Sequence, residues 1–222
     1  MSLVEKYGKQ VSEREAKVEL KNFGIPVPEE KYVNTPKEAE KAVEEVGLPA
    51  IIKIDSKEIS HKTDIGCVKE VQTHEKIVST AEEVIRNGEK AVENNHNLGL
   101  IISEKVEGNE FIAGINNDPQ FGKVFMFGLG GIHVETFKDV VFRPLPVDET
   151  DISEMIEEIR SKKLLEGVRG QPATDKKKLI SVLRKVAEFG SKEEVEELDI
   201  NPLFIRGDEI NAADALIKLR EL

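Results

Sequence analysis

Residues 51–68 read Ile-Ile-Lys-Ile-Asp-Ser-Lys-Glu-Ile-Ser-His-Lys-Thr-Asp-Ile-Gly-Cys-Val. A short β-branched strand carries Lys53, and strand character returns at Val68–Val71. Between them lies a polar loop with His61 flanked by Ser60 and Lys62, then Asp64 and Gly66. A loop of about a dozen residues without periodicity is long for a compact domain, and such loops are lids, binding loops or linkers. The polar content of this one is too specific for filler. A histidine carried on a mobile loop can visit two places, and that is the function expected here.

Outward from this stretch, the chain alternates helix and strand on its N-terminal side. Ser12 and Glu15 have the spacing of a capping box, and the helix they open shows Ala16, Leu20 and Phe23 on one face before Gly24. Thr35-Pro36-Lys37-Glu38 repeats the start signal, with Pro36 at the first helical position. A helix over 74–93 and a strand over 98–106 follow. The middle is hairpin-like, with strands at 110–116, 123–127 and 139–143 around the turn Asn117–Gly122. Helices are expected at 148–160 and 174–189, then strands at 197–205 and 209–214, and a short final helix. This order predicts two α/β (α+β) lobes rather than one parallel sheet. The expected division is 23–102 against 1–22 plus 103–222.

The 222 residues are 39% hydrophobic and 34% charged, which is a globular composition. A net charge of −11 argues against nucleic-acid binding, because phosphate neutralisation needs clustered Lys and Arg. The apolar runs are a few residues long, so no membrane span is expected. One cysteine, Cys67, and no signal-peptide pattern at the start give the expectation of a reducing cytoplasm.

Several side chains could carry chemistry. Lys53 in an apolar strand is either an edge lysine reaching solvent or a phosphate ligand. Glu104-Lys105-Val106-Glu107-Gly108-Asn109-Glu110 either brackets an adenosine or forms a solvated acidic turn. Gly128-Leu129-Gly130-Gly131 after a strand offers bare backbone donors to an anion, or is a tight turn. In Glu197-Leu198-Asp199-Ile200-Asn201, alternation puts three oxygen-bearing side chains on one strand face. They repel unless a cation faces them, and Asp214, thirteen residues past Asn201, can come alongside. Hard oxygen donors with few protein ligands suit Mg²⁺, which leans on water and phosphate; the other reading is an acidic sheet edge. His74 and His96 read as surface residues, and His133 as structural or near a ligand. A neutral His61 can act as a nucleophile, with Asp199 the candidate carboxylate that fixes its tautomer.

Four motifs in order, Ser60–Gly66, Asn117–Gly122, Phe127–Ile132 and Leu198–Leu203, resemble the β subunit of ADP-forming acetyl-CoA synthetases, an ATP-grasp family related to succinyl-CoA synthetase. The resemblance runs from about Ser12 to Ala215. It implies two lobes enclosing a nucleotide cleft, ATP/ADP with Mg²⁺, and an α subunit in an α2β2 assembly that carries the CoA site and a first phosphohistidine. His61 would then be the shuttle histidine, and Lys53 would hold nucleotide phosphates. Glu104, Lys105 and Val106 would form the adenine hinge, and Glu110 would meet the ribose. Asn201 and Asp214 would hold Mg²⁺, with Asp199 beside His61. Gly130 and Arg143 would be further anion contacts. Cys67 departs from the family's second glycine after Gly66. A stand-alone ATP-grasp ligase would not need His61, and a nucleotide-sensing module would have lost His61 or the acidic face. The chain shows no candidate CoA-binding segment, so an α partner is expected to be required.

Overall fold

The computed structural model describes residues 2–59, 62–92, 98–131, 138–167 and 170–221. The chain divides into two compact units. The larger is Met1–Val11, Glu15–Val27 and Val106–Leu222; the smaller is Ser12–Arg14 and Pro28–Lys105. The division thus falls at 27/28 and 105/106 rather than at 22/23 and 102/103, and it assigns Ser12–Arg14 to the smaller unit. Helices α1 (Leu3–Tyr7) and α2 (Glu13–Asn22) open the chain. Gly24 ends α2 at φ +86°, a conformation that favours glycine.

The smaller unit contains β1 (Glu30–Val33), α3 (Glu38–Val46), β2 (Ala50–Asp55), β3 (Val68–Val71), α4 (Ile77–Ala91) and β4 (Gly99–Glu104). Its sheet has the order β1-β4-β2-β3, with every pairing antiparallel. Alternation along β2 and β4 sends Ile52, Ile54, Leu100 and Ile102 into a core with Ala39 and Val43 of α3 and Ile77, Ala81 and Val84 of α4. Burying each such aliphatic side chain contributes about 1.5–3 kcal/mol. Helix α3 starts two residues after the expected position, yet its start signal operates. Thr35 Oγ1 accepts from the Glu38 amide at 3.4 Å, and Glu38 Oε2 accepts from the amides of Asn34 and Thr35 at 2.9 and 3.2 Å. β2 is an inner strand, so the edge-lysine reading of Lys53 fails.

The larger unit holds β5 (Asn109–Asp118), β6 (Gly122–Leu129), β7 (Val140–Pro144), α5 (Glu149–Glu158), α6 (Lys176–Gly190), β8 (Val195–Arg206), β9 (Glu209–Ala212) and β10 (Leu216–Leu219). Its sheet runs β10-β8-β5-β6-β7, with β9 paired to β8. Asp148 and Asp175 cap α5 and α6 by accepting two backbone N–H bonds each, the preferred use of an N-cap aspartate. Leu179, Leu183 and Val186 of α6 pack with Phe111, Phe127 and Ile200 from the sheet. The Phe111 and Phe127 rings stack at 5.5 Å.

The expected final helix is instead strand β10, antiparallel to β8, with Leu216 opposite Asp199 and Ile217 opposite Leu198. Ala, Leu, Lys and Arg favour a helix locally. Here the open edge of β8 decides, and the short alternation that buries Ile217 and Leu219 fits it.

Candidate functional site

In the larger unit, β8 carries the oxygen-rich face. Val195, Leu198, Ile200, Leu203 and Ile205 are buried in the core, and alternation with Leu198 and Ile200 turns Glu197, Asp199 and Asn201 to the other side. Leu203 pairs with Ala212, and the Ala213 amide donates to the Pro202 carbonyl at 3.0 Å. With Leu216 opposite Asp199, Asp214 is carried past this face between the two strands. Glu197 is paired with Lys218 across the sheet at 2.5 Å.

Asp199 is set differently. Its Oδ1 is buried and accepts no hydrogen bond among the described residues. Its pKa is pushed up to about 6, first by burial, then by the charges of Glu197 and Asp214, with Lys218 acting the other way. A carboxyl so placed wants a proton, a donor or a cation.

The glycine turn after β6 packs onto this face by backbone. The Gly131 amide donates to Asn201 Oδ1 at 3.0 Å, the Gly130 amide to the Glu110 carbonyl at 2.9 Å, and the Leu129 amide to the Asp139 carbonyl at 2.9 Å. A Cβ on Gly131 would lie 1.8 Å from Glu110 Oε2, and one on Gly130 would lie 2.4 Å from the Phe111 backbone. These glycines therefore permit close approach. Their amides, read from the sequence as donors to an anion or as part of a tight turn, donate within the unit. Asp139, whose carboxylate accepts from the amides of Arg160 and Ser161 at 2.8 and 2.7 Å, closes the same end. Arg143 lies three residues along β7 from Val140, the partner of Gly128, and its guanidinium is ion-paired with Glu158.

The smaller unit holds the cationic group. The Glu13 side chain is wholly buried and accepts from Lys53 Nζ at 2.9 Å on one oxygen and from Lys62 Nζ at 2.6 Å on the other. Both lysine side chains are nearly buried, at 9% and 11% exposure. Beside them, Asp55 accepts from Ser12 Oγ at 3.1 Å and from the Arg14 amide at 3.3 Å. Burial raises the Asp55 pKa above its ordinary value, the Arg14 amide and Ser12 hydroxyl oppose that, and the Glu13 charge adds to it. The Ser12 hydroxyl, the Glu13 carboxylate and the Arg14 amide thus tie three consecutive residues to β2.

At the end of β4, Glu104 Oε1 accepts from the Glu29 amide at 2.9 Å, and Lys105 pairs with Glu70 at 2.9 Å. The loop after Lys62 folds back locally. The Cys67 amide donates to the Lys62 carbonyl at 2.8 Å, and Asn87 Nδ2 to the Gly66 carbonyl at 3.0 Å. Cys67 is fully buried, and burial raises its thiol pKa, which makes it an inert core residue.

His61 lies outside the described residues, as do His96 and His133, so the pairing expected between Asp199 and His61 falls outside them too. His74 sits exposed in a short 3₁₀ turn. Sequence reasoning missed Glu13, Asp55 and Lys62. The one available signal was that a lysine in an apolar inner strand demands a counter-ion, but nothing local points 40 residues back to Glu13. No group of three His, Cys, Asp or Glu among the described residues has the geometry of a self-sufficient metal site. The donors on β8 nonetheless fit Mg²⁺: they are hard oxygens, few in number, with one buried oxygen unpartnered among the described residues.

Residues 3–219 match the ATP-grasp domain family. The chain is 39% identical over 214 residues to the acetate–CoA ligase [ADP-forming] II subunit beta of Pyrococcus furiosus, covering 94% of this chain and 91% of that protein. It is also similar to solved structures of Ca. Korarchaeum cryptofilum dinucleotide forming acetyl-coenzyme A synthetase 1. One, in complex with coenzyme A, Ca-AMPCP and HgCl+, has a TM-score of 0.89 and 37% identity, over 97% of this chain and 96% of that one. Another, with coenzyme A and Mg-AMPPCP, has its phosphohistidine segment pointing towards the nucleotide binding site; TM-score 0.81, 35% identity, 98% and 97% coverage. The chain belongs to the ATP-grasp proteins and, among them, to the β subunits of the ADP-forming acetate–CoA ligases. No helix among the described residues is long and apolar enough to cross a membrane.

Proposed function

We propose that this chain is the nucleotide-binding β subunit of an ADP-forming acyl–CoA ligase, in which His61 carries a phosphoryl group between a partner α subunit and ADP. The observation that supports it most is the Asp199 carboxyl, buried with one oxygen unpartnered among the described residues, on a face shared with Asn201 and close to Asp214. In the direction of ATP synthesis the N–P bond on His61 breaks as a terminal oxygen of ADP forms the new O–P bond, leaving a neutral imidazole. Such a transfer needs positioning and charge neutralisation more than covalent help from the protein.

Lys53 holds nucleotide phosphates, Glu104 to Val106 receive the adenine, and Glu110 the ribose. Gly130 and Gly131 let the chain close against Glu110. Asn201 and Asp214 hold Mg²⁺, which neutralises phosphate oxygens when bound. Asp199 orients the His61 imidazole. The acyl and CoA chemistry belongs to the α subunit, in an α2β2 assembly.

Reconstitution tests the reading. With the α subunit, acetyl-CoA, phosphate, ADP and Mg²⁺, ATP forms, and His61→Ala abolishes it. Failure of the paired subunits to make ATP from any acyl-CoA rejects the proposal.

A further inference from the structure

Lys53 and Asp55 stand on one face of β2, opposite Ile52 and Ile54, which point into the core. The backbone of Lys53 is paired on both sides, with Val68 of β3 and Ile101 of β4. Ser12–Arg14 lies along this face. Asp55 accepts from the Ser12 hydroxyl at 3.1 Å and from the Arg14 amide at 3.3 Å, and Glu13, between them, accepts from Lys53 Nζ at 2.9 Å. The Glu13 side chain has no solvent exposure, and its other oxygen accepts from Lys62 Nζ at 2.6 Å. The carboxylate is therefore tied through both its chain neighbours and both its oxygens, and the Lys53 ammonium ends on it. A lysine head is otherwise a point charge on a flexible aliphatic stem. An ammonium has more than one N–H to give, so a bond to Glu13 is compatible with a phosphate contact.

We infer that Glu13 is a positioning residue for nucleotide binding, which holds the Lys53 ammonium at the place where a nucleotide phosphate meets it. The inference rests on the reading of Lys53 as a phosphate ligand. Charge and position predict opposite signs here. By charge alone, a carboxylate beside a phosphate site repels the phosphate, and its removal tightens binding. By position, its removal loosens binding, because the phosphate must then immobilise the lysine side chain itself. That cost corresponds to a factor of about two to ten in affinity.

The test measures ADP and adenosine binding to the full chain by calorimetry. Glu13→Gln removes the charge and keeps the shape, whereas Glu13→Asp keeps the charge and withdraws it from Lys53. Both weaken ADP binding between about twofold and tenfold and leave adenosine binding unchanged, which also shows that each variant is folded. Lys53→Met weakens ADP binding too, and adding Glu13→Gln to it causes no further loss, as expected for two residues that act as a unit. If Glu13→Gln does not fold, Glu13→Asp decides alone.

Unchanged or tighter ADP binding in either folded Glu13 variant, beside a Lys53→Met that has lost ADP affinity, overturns the inference. So does an equal loss of ADP and adenosine, which marks a general loosening of the unit. ADP binding that Lys53→Met leaves unaffected removes the phosphate reading of Lys53, and the inference with it.

Discussion

In the smaller unit one buried carboxylate, Glu13, serves two lysines; in the larger unit Glu197, Asp199 and Asp214 gather around one strand, with Lys218 set on Glu197. The first arrangement is complete within the protein. The second leaves Asp199 held well above the usual carboxylate range, with an oxygen that the described residues do not satisfy. A closed ion network stabilises position, whereas an open acidic face stores affinity for whatever cation or donor arrives. The two regions should respond oppositely to loss of a carboxylate.

The largest expected effect is Glu13→Ala. It removes the buried carboxylate that two nearly buried ammoniums share and should cost about 3–5 kcal/mol of unfolding free energy, read by denaturant titration. Asp199→Asn should do the reverse. The folded pKa of Asp199, about 6, lies above its ordinary 3.8, so the protonated folded form is favoured and the stability it gives is present below about pH 4. That stability is lost as pH rises through about 6. At pH 8 the Asn variant should be more stable than the wild type by up to about 2–3 kcal/mol, a rise of roughly 5–10 °C in melting temperature. The gap should close by pH 4, and Mg²⁺ with ADP should raise the wild-type midpoint more than the variant's. A pH-independent gap would mean that burial of Asp199 is not the source.

Gly131→Ala sharpens the comparison at a smaller scale. At φ +67°, with Glu110 Oε2 in the way of a Cβ, it should cost about 1–2 kcal/mol and weaken nucleotide binding by displacing Glu110. Lys31→Ala, which removes an exposed pair with Glu45, should leave the melting midpoint unchanged, because surface ion pairs contribute little.

Where periodicity was long, the sequence foretold the fold. The alternation of β8 named both the buried residues and the oxygen-bearing ones, and the stripe Leu179, Val182, Leu183 and Val186 named the buried face of α6. Short elements were less legible. β1 has four residues and no strong alternation, and Leu216–Leu219 has helix-favouring residues that only the edge of β8 turns into a strand. At the site, charge chemistry local to one strand could be read, while Glu13 could not, because it reaches its partners at separations of 40 and 49 residues. For the glycine turn the sequence leaves an anion contact and a tight turn both open, because it does not show that the amides of Gly131 and Gly130 donate to Asn201 Oδ1 and the Glu110 carbonyl.

The account stands or falls on His61 as a phosphoryl carrier. The direct measurement is incubation of the chain with its α subunit, γ-labelled ATP and Mg²⁺, followed by acid and alkali treatment. An acid-labile, alkali-stable label on this chain that disappears in His61→Ala is the predicted result. A label that survives acid, that persists in His61→Ala, or that never forms on nucleotide-bound protein would contradict it.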